Sequence, residues 1–318
     1  MNATENQSNT LRDQFIRLTE RTCVSIGGRD RHRLLHSFCT ADIKVLPLHC
    51  ATEAFVLNDK GKTLWHGLVL SMDTELLLIG AGTHAAKLIA HLDRYIIRDD
   101  VQLIDRSADL DSFFIFGATA SSRLSTWVGD LPDRNKIAVR AVGVPSFTIS
   151  HLEVAGWGYL LLTNTLDRTV VESWLQSADF ACCSVAALDF YRVENQTPWY
   201  GDDLDDDNLP QELQRDQKAI SFHKGCYLGQ ETVARIDAIG RVNQLLIGLE
   251  IESALPPEPG MELQLDGKVV GRLTSVAHDN TGTFVGLGYV RRGHATAGTR
   301  LTLIAGTARI RLLPGQSS

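Results

Sequence analysis

Apolar positions recur along this 318-residue chain with two periods, close to two in some stretches and close to 3.6 in others. Residues 22–26 read as a strand closed by Gly27-Gly28, and Asp30 stands where a helix N-cap belongs, with a helix expected through about Phe38. Residues 54–58 and 62–70 flank Asp59-Lys60-Gly61, a strand–turn–strand pattern in which glycine suits the tight turn. Further strands are predicted at 75–79, 101–104, 113–116, 137–142, 147–152 and 157–163. Helical spacing predicts helices at 83–95, 123–128, 168–178 and 184–193. Such a mixture, without strict βαβ alternation, predicts α+β rather than a doubly wound sheet. From Gly240 onward, short apolar runs at 244–251, 261–265, 269–275, 283–290, 299–304 and 308–312 are parted by Gly, Pro and Asp-Gly turns. That texture predicts a small antiparallel barrel.

The expected division is a polar tail over 1–10, a first α+β domain over 11–117, a second α+β region over 118–239 that can interleave with the first, and a C-terminal β-barrel over 240–318. Apolar residues make up 44 % and charged residues 22 %, enough for a sizeable core and too apolar for wholesale disorder. No apolar run reaches the roughly 18 residues of a membrane span. The first residues lack a secretory or mitochondrial pattern, so a cytoplasmic protein is expected. A net charge of −7 argues against general nucleic-acid binding. Six cysteines without a C-x-x-C do not make a disulfide scaffold, and the adjacent Cys182 and Cys183 are expected as buried reduced thiols. The five acids within residues 202–207 are expected to form a solvated loop.

The sharpest stretch is Lys224-Gly225-Cys226-Tyr227-Leu228-Gly229-Gln230-Glu231, followed by Arg235. A lysine two places before a cysteine can hold a thiol partly as thiolate, and Glu231 and Arg235 are spaced for a helical ion pair. The plainer alternative is a glycine-punctuated turn entering a helix, with Cys226 as a small buried residue. His32, His36 and Cys39 share one helix face, yet no fourth ligand has matching spacing, so no metal is expected. His223 beside Cys226 lacks a third orienting group. Gly80-Ala81-Gly82 lacks the third glycine of a dinucleotide fingerprint. Glu194, in Arg192-Val193-Glu194, is either a solvated helix-end carboxylate or the acceptor for paired N–H donors of a pterin ring.

The eight residues 224–231, with Arg235 and Arg241-Val242-Asn243 beyond, resemble the signature of the YgfZ-type proteins, folate-binding relatives of the glycine-cleavage T protein that assist iron–sulfur protein assembly or repair. Residues 38–43, 57–62, 99–101, 156–159, 191–194, 209–212 and 271–275 resemble further segments of that family. The resemblance implies a three-domain ring of two α+β domains and a barrel around a channel that takes tetrahydrofolate or a derivative. It also implies Glu194 facing the pterin, with Arg192, Lys224 and Arg235 as further folate-binding residues, and Lys224 and Cys226 at the channel mouth as the catalytic pair, with Cys226 essential. Folate and iron–sulfur clients are the implied partners.

Two departures bear on chemistry. Trp65 and His66 stand where the T protein carries a pair of aspartates, and Asn195-Gln196 replaces the Ala-Gly after R-x-E. Both favour an accessory factor over the alternative, a folate-dependent aminomethyltransferase or demethylase.

Overall fold

A computed structural model describes residues 13–141, 146–279 and 282–311, so the expected tail over 1–10 lies outside the described residues. The apolar stretches between residues 21 and 105 build a five-stranded sheet. Its spatial order is Ala51–Leu57, Thr63–Ser71, Glu75–Ala81, Arg21–Gly27, Gln102–Asp105, with every neighbour antiparallel. Both faces of this sheet are covered, which is why its strands read as nearly continuous apolar runs. Val24, Ile26, Trp65, Leu76 and Leu78 pack under helices Arg31–His36 and Ala85–Asp93. Cys23, Leu70, Leu77 and Ile79 face the other way, against a second sheet.

That second sheet has six strands in the order Ala181–Cys182, Gln14–Arg17, Leu110–Phe116, Trp157–Asn164, Ser146–Glu153, Ile137–Ala141. Phe113, Ile115, Tyr159 and Leu161 pack under helices Ala120–Val128 and Arg168–Ser177. Leu152, Leu160 and Leu162 supply the opposite face and meet the first sheet. The result is helices, sheet, sheet, helices in four layers. Gln14–Arg17 is a strand that the pattern did not predict, because only Phe15 and Ile16 carry its signal. Among the described residues, a strand of the second sheet thus precedes the strands of the first.

The runs beyond Gly240 close into a six-stranded barrel of Gln244–Ser253, Phe284–Arg291, Lys268–His278, Glu262–Leu265, Arg300–Leu303 and Gly306–Ile310 around Leu249, Leu263, Leu273, Val290 and Leu301. Helix Val185–Glu194 packs on the barrel; the side chain of Ser184 accepts from the Ala187 N–H at its start. Among the described residues, no helix is long and apolar enough to cross a membrane.

Three expectations are corrected. The first helix spans only Arg31–His36, and Asp30 spends its carboxylate on the Asp100 N–H at 2.9 Å instead of capping. The acidic run is not wholly solvated: Asp203 is buried, its carboxylate taken up by Arg192, Thr274 and Ser275. Cys182 is exposed and Cys183 only half-buried, because Ala181–Cys182 forms a two-residue edge strand.

Candidate functional site

The segment 219–228 has almost no regular structure, yet it is tied along its length to residues 36–42. Ser221 N–H donates to the Thr40 carbonyl, Thr40 Oγ1 donates to the Ala219 carbonyl at 2.6 Å, and Leu228 N–H donates to the Ser37 carbonyl. Between these ties Lys224 turns inward. Its ammonium donates to the carbonyls of His36, Cys39 and Ala41 at 2.6, 2.8 and 2.8 Å, and lies 4.7 Å from the centre of the Tyr227 ring. Burial pulls the lysine below its ordinary pKa. Lys224 therefore serves as a latch between two stretches of chain.

Cys226, two residues on, points out and is exposed, which overturns its reading as a small buried residue. The backbone of Gly225 passes His36, whose Nδ1 is 3.2 Å from Asp42. Tyr227 is buried, and its N–H donates to Gln230 Oε1. Gly229 opens helix Gln230–Ile239 with φ of 80°. Gly61, at the end of the strand–turn–strand, also has positive φ, 75°. A Cβ on Gly229 would come within 2.8 Å of the Gly61 Cα, so the turn and the helix start touch glycine to glycine. Glu231 and Arg235 are both exposed on that helix and form no ion pair. Among the described residues, no cluster of His, Cys, Asp or Glu is arranged to hold a metal.

Arg192 and Glu194 sit on helix Val185–Glu194 but meet different surroundings. Arg192 is buried; it bonds Asp203 at 2.7 Å and Ser275 Oγ at 2.9 Å and lies 4.9 Å from the Trp199 ring centre. Burial alone would lower its pKa, but Asp203, Asp189 and Asp202 outweigh it and raise it. Glu194 is partly exposed and takes a two-pronged pair with Arg311 at 2.9 and 2.7 Å, joining the helix to the barrel's last residues.

A narrow cleft of about 70 Å³ opens between the two sheets, walled by Leu68, Ile79, Trp199 and Tyr200, with His66 and Glu53 at its floor. Glu53 and His66 come from adjacent strands, and Glu53 Oε1 is 2.7 Å from His66 Nε2. Arg215 grips both oxygens of Glu53, with Nη2 to Oε2 at 2.6 Å, and reaches Glu153 at 3.2 Å. Burial would raise the pKa of Glu53, but the Arg215 charge and the hydrogen bonds from His66 and Arg215 hold it well below the carboxylate range. Arg215 and Glu153 also border a second, more polar cavity of about 630 Å³ lined by Gln211, Gln214, Arg241 and Arg292. The ion network is thus a partition between two openings.

Trp65 and His66 part across the first sheet. Trp65 is fully buried under the helices, its indole over Gly67 and Gly80, where a Cβ would come within 2.6 and 2.7 Å of it; His66 faces the cleft. Neither cavity is lined by Arg192, Glu194, Lys224, Cys226 or Arg235. Sequence reasoning missed Glu53 and Arg215. The available signal was a charge inside the apolar strand A-T-E-A-F-V-L.

Residues 245–312 match the glycine cleavage T-protein C-terminal barrel domain. Over 241 residues the chain is 30 % identical to the tRNA-modifying protein YgfZ of Blochmanniella pennsylvanica, covering 74 % of this chain and 71 % of that protein. A chloroplastic protein of Arabidopsis thaliana, named for a transferase, is 26 % identical over 286 residues, which cover 88 % of this chain and 66 % of that one. The glycine cleavage system aminomethyltransferase T of Bartonella henselae shares the fold, with a TM-score of 0.80 over 95 % of this chain and 86 % of that one at 15 % identity. The YgfZ match and the T-protein barrel, carried on this fold, make the chain a member of the YgfZ-type family of T-protein-like proteins.

Proposed function

We propose that the chain binds a reduced folate, tetrahydrofolate or a derivative, in the cleft between the sheets and acts as an accessory factor for assembly, maintenance or repair of iron–sulfur proteins. The folate reading rests on membership of the YgfZ-type family, and the cleft offers it a place to begin, with Trp199, Tyr200, His66 and the Glu53–Arg215 pair among its lining. Aromatic faces suit a pterin ring, and buried hydrogen-bonding groups orient it. The iron–sulfur part rests on family membership and on Cys226, an exposed thiol on a pinned segment where a partner protein can reach it. The name of the Blochmanniella relative speaks of tRNA modification, which is said of that protein. Here a net charge of −7 favours a protein client over direct binding to RNA.

One observation favours the second reading, a folate-dependent aminomethyl or one-carbon transferase. The acid pair is gone, but Glu53 and His66 put a carboxylate and an imidazole in contact at the cleft floor. Two assays separate the readings: complementation of a strain lacking its own family member, scored by iron–sulfur enzyme activity, and reconstituted aminomethyl transfer with an authentic T protein as control. The accessory reading expects complementation without transfer. Transfer within roughly tenfold of the control would overturn it, since losing a positioned acid–base group costs about 10²–10⁴ in rate.

A further inference from the structure

We infer that the barrel fixes one wall of the cleft. Thr274 and Ser275, acting through Asp203 and Arg192, are positioning residues for the Trp199 indole. Ligand affinity in the cleft is thereby governed from a barrel that supplies none of its lining among the described residues. For its ligand the inference rests on the folate reading.

Thr274 and Ser275 are consecutive on strand Lys268–His278, and in an unbroken strand their side chains would point to opposite faces. The register of that strand against Phe284–Arg291 shifts between Leu273 and Ser275, and the bulge lets both hydroxyls reach one atom. Thr274 Oγ1 and Ser275 Oγ donate to Asp203 Oδ1 at 2.6 and 2.7 Å. Asp203 Oδ2 serves the other side, accepting from Arg192 Nη1 at 2.7 Å and from the Trp199 N–H at 3.0 Å. Ser275 Oγ, its proton given to Asp203, accepts from Arg192 Nη2 at 2.9 Å. One oxygen of the carboxylate thus holds the barrel and the other holds the cleft wall. Asp203 and Arg192 are buried, so a bond lost here leaves a group that water does not satisfy. The tryptophan is held at three points: its N–H by Asp203, its ring by the guanidinium 4.9 Å from the centre, and its Nε1–H by the Val154 carbonyl at 3.2 Å. Two of the three depend on the Asp203–Arg192 pair. A wall side chain ordered in advance spares the ligand the cost of ordering it.

The test compares the native full chain with Thr274→Val/Ser275→Ala, which removes both hydroxyls, and with Thr274→Ser/Ser275→Thr, which keeps them. Ser275→Ala alone takes the place of the first variant should that fail to fold. Acrylamide quenching of Trp199, taken as the difference between each protein and its own Trp199→Phe form, reads whether the indole is held. Calorimetric titration with tetrahydrofolate reads the cleft. Without the hydroxyls the quenching constant should rise about twofold or more, as local freedom grows. Tetrahydrofolate affinity should fall roughly three- to tenfold, the scale of ordering one side chain on binding. The hydroxyl-keeping variant should stay within about twofold of native in both. A purely structural network would lower the melting temperature and move neither readout. A native value of either readout in the folded hydroxyl-free variant, or a hydroxyl-keeping variant that behaves like it, overturns the inference and leaves folate binding standing. A native chain that does not bind tetrahydrofolate overturns the folate reading, and the quenching arm then decides alone whether the barrel holds the wall.

Discussion

Replacing Lys224 with methionine removes an ammonium and keeps the length of the stem. The native ammonium satisfies three carbonyls at 2.6–2.8 Å, those of His36, Cys39 and Ala41, and touches the Tyr227 ring. Each charged hydrogen bond is worth about 1.5–3 kcal/mol when deleted. Burial of the ammonium opposes this, as its lowered pKa records. Methionine leaves no charge unpaired but three carbonyls without a donor, at about 1–3 kcal/mol each, so the net cost after relief of the buried ammonium is about 3–5 kcal/mol. At roughly 2 °C per kcal/mol for a chain of this size, Lys224→Met should lower the melting temperature by about 6–10 °C. The loss should also be felt locally. With the latch gone, 219–228 leaves 36–42 more often, and amide exchange at Leu228 and Ser221, whose N–H groups donate across that seam, should quicken. Scanning calorimetry and hydrogen exchange read both effects. A melting temperature within about 2 °C of native, with protected Leu228 and Ser221 amides, would refute the latch.

Three further outcomes are expected. Cys226→Ser should match native stability within about 0.5 kcal/mol, because the thiol is exposed, yet fail to complement; full complementation at native expression would remove the thiol from function. Glu194→Gln should weaken only the partly exposed pair with Arg311, costing less than about 1 kcal/mol of stability and changing folate affinity by less than about threefold; a loss of roughly tenfold would return Glu194 to the ligand, as the family resemblance implies. Burial, and then Asp237, push the Asp216 pKa up to about 6, and its Oδ1 has no partner. An acid with a raised folded pKa gives stability that is present below its unfolded value and lost as pH rises through the folded one. Asp216→Asn should therefore match native near pH 3.5 and exceed it by about 1 kcal/mol at pH 7, after discounting for partial exposure; a difference independent of pH in denaturant titrations would contradict this.

The barrel was the most legible part of the chain, because each of its short runs lies between turn residues and buries one face in a single core. The sheets were nearly as clear, since strands covered on both sides, such as Leu76–Leu78 and Leu160–Leu162, leave unbroken apolar runs. Side-chain direction in the irregular segment was not legible. The alternation that sorts a strand's faces does not apply there, so nothing in K-G-C-Y said that lysine goes in and cysteine out. Nor could the cleft floor be read off. Glu53 and Arg215 are 162 residues apart, and periodicity reports which face is buried, not which distant charge waits there. Asp203 hid in the same way within a run of acids whose other members are exposed.

A side chain at Gly61 would run into Thr232 and the Gly229 carbonyl, while one at Gly229 would strike Asn58 and Gly61; each position also has a backbone that L side chains avoid. No replacement at one makes room at the other. Drift that samples one codon at a time therefore finds no stepping stone away from this pair. Descendants of the chain are expected to retain both glycines or to abandon the joint, reshaping turn and helix start together. A library randomised at both codons and selected for folded product should return Gly-Gly well above its share of the starting pool, and single-glycine clones should be rare in it.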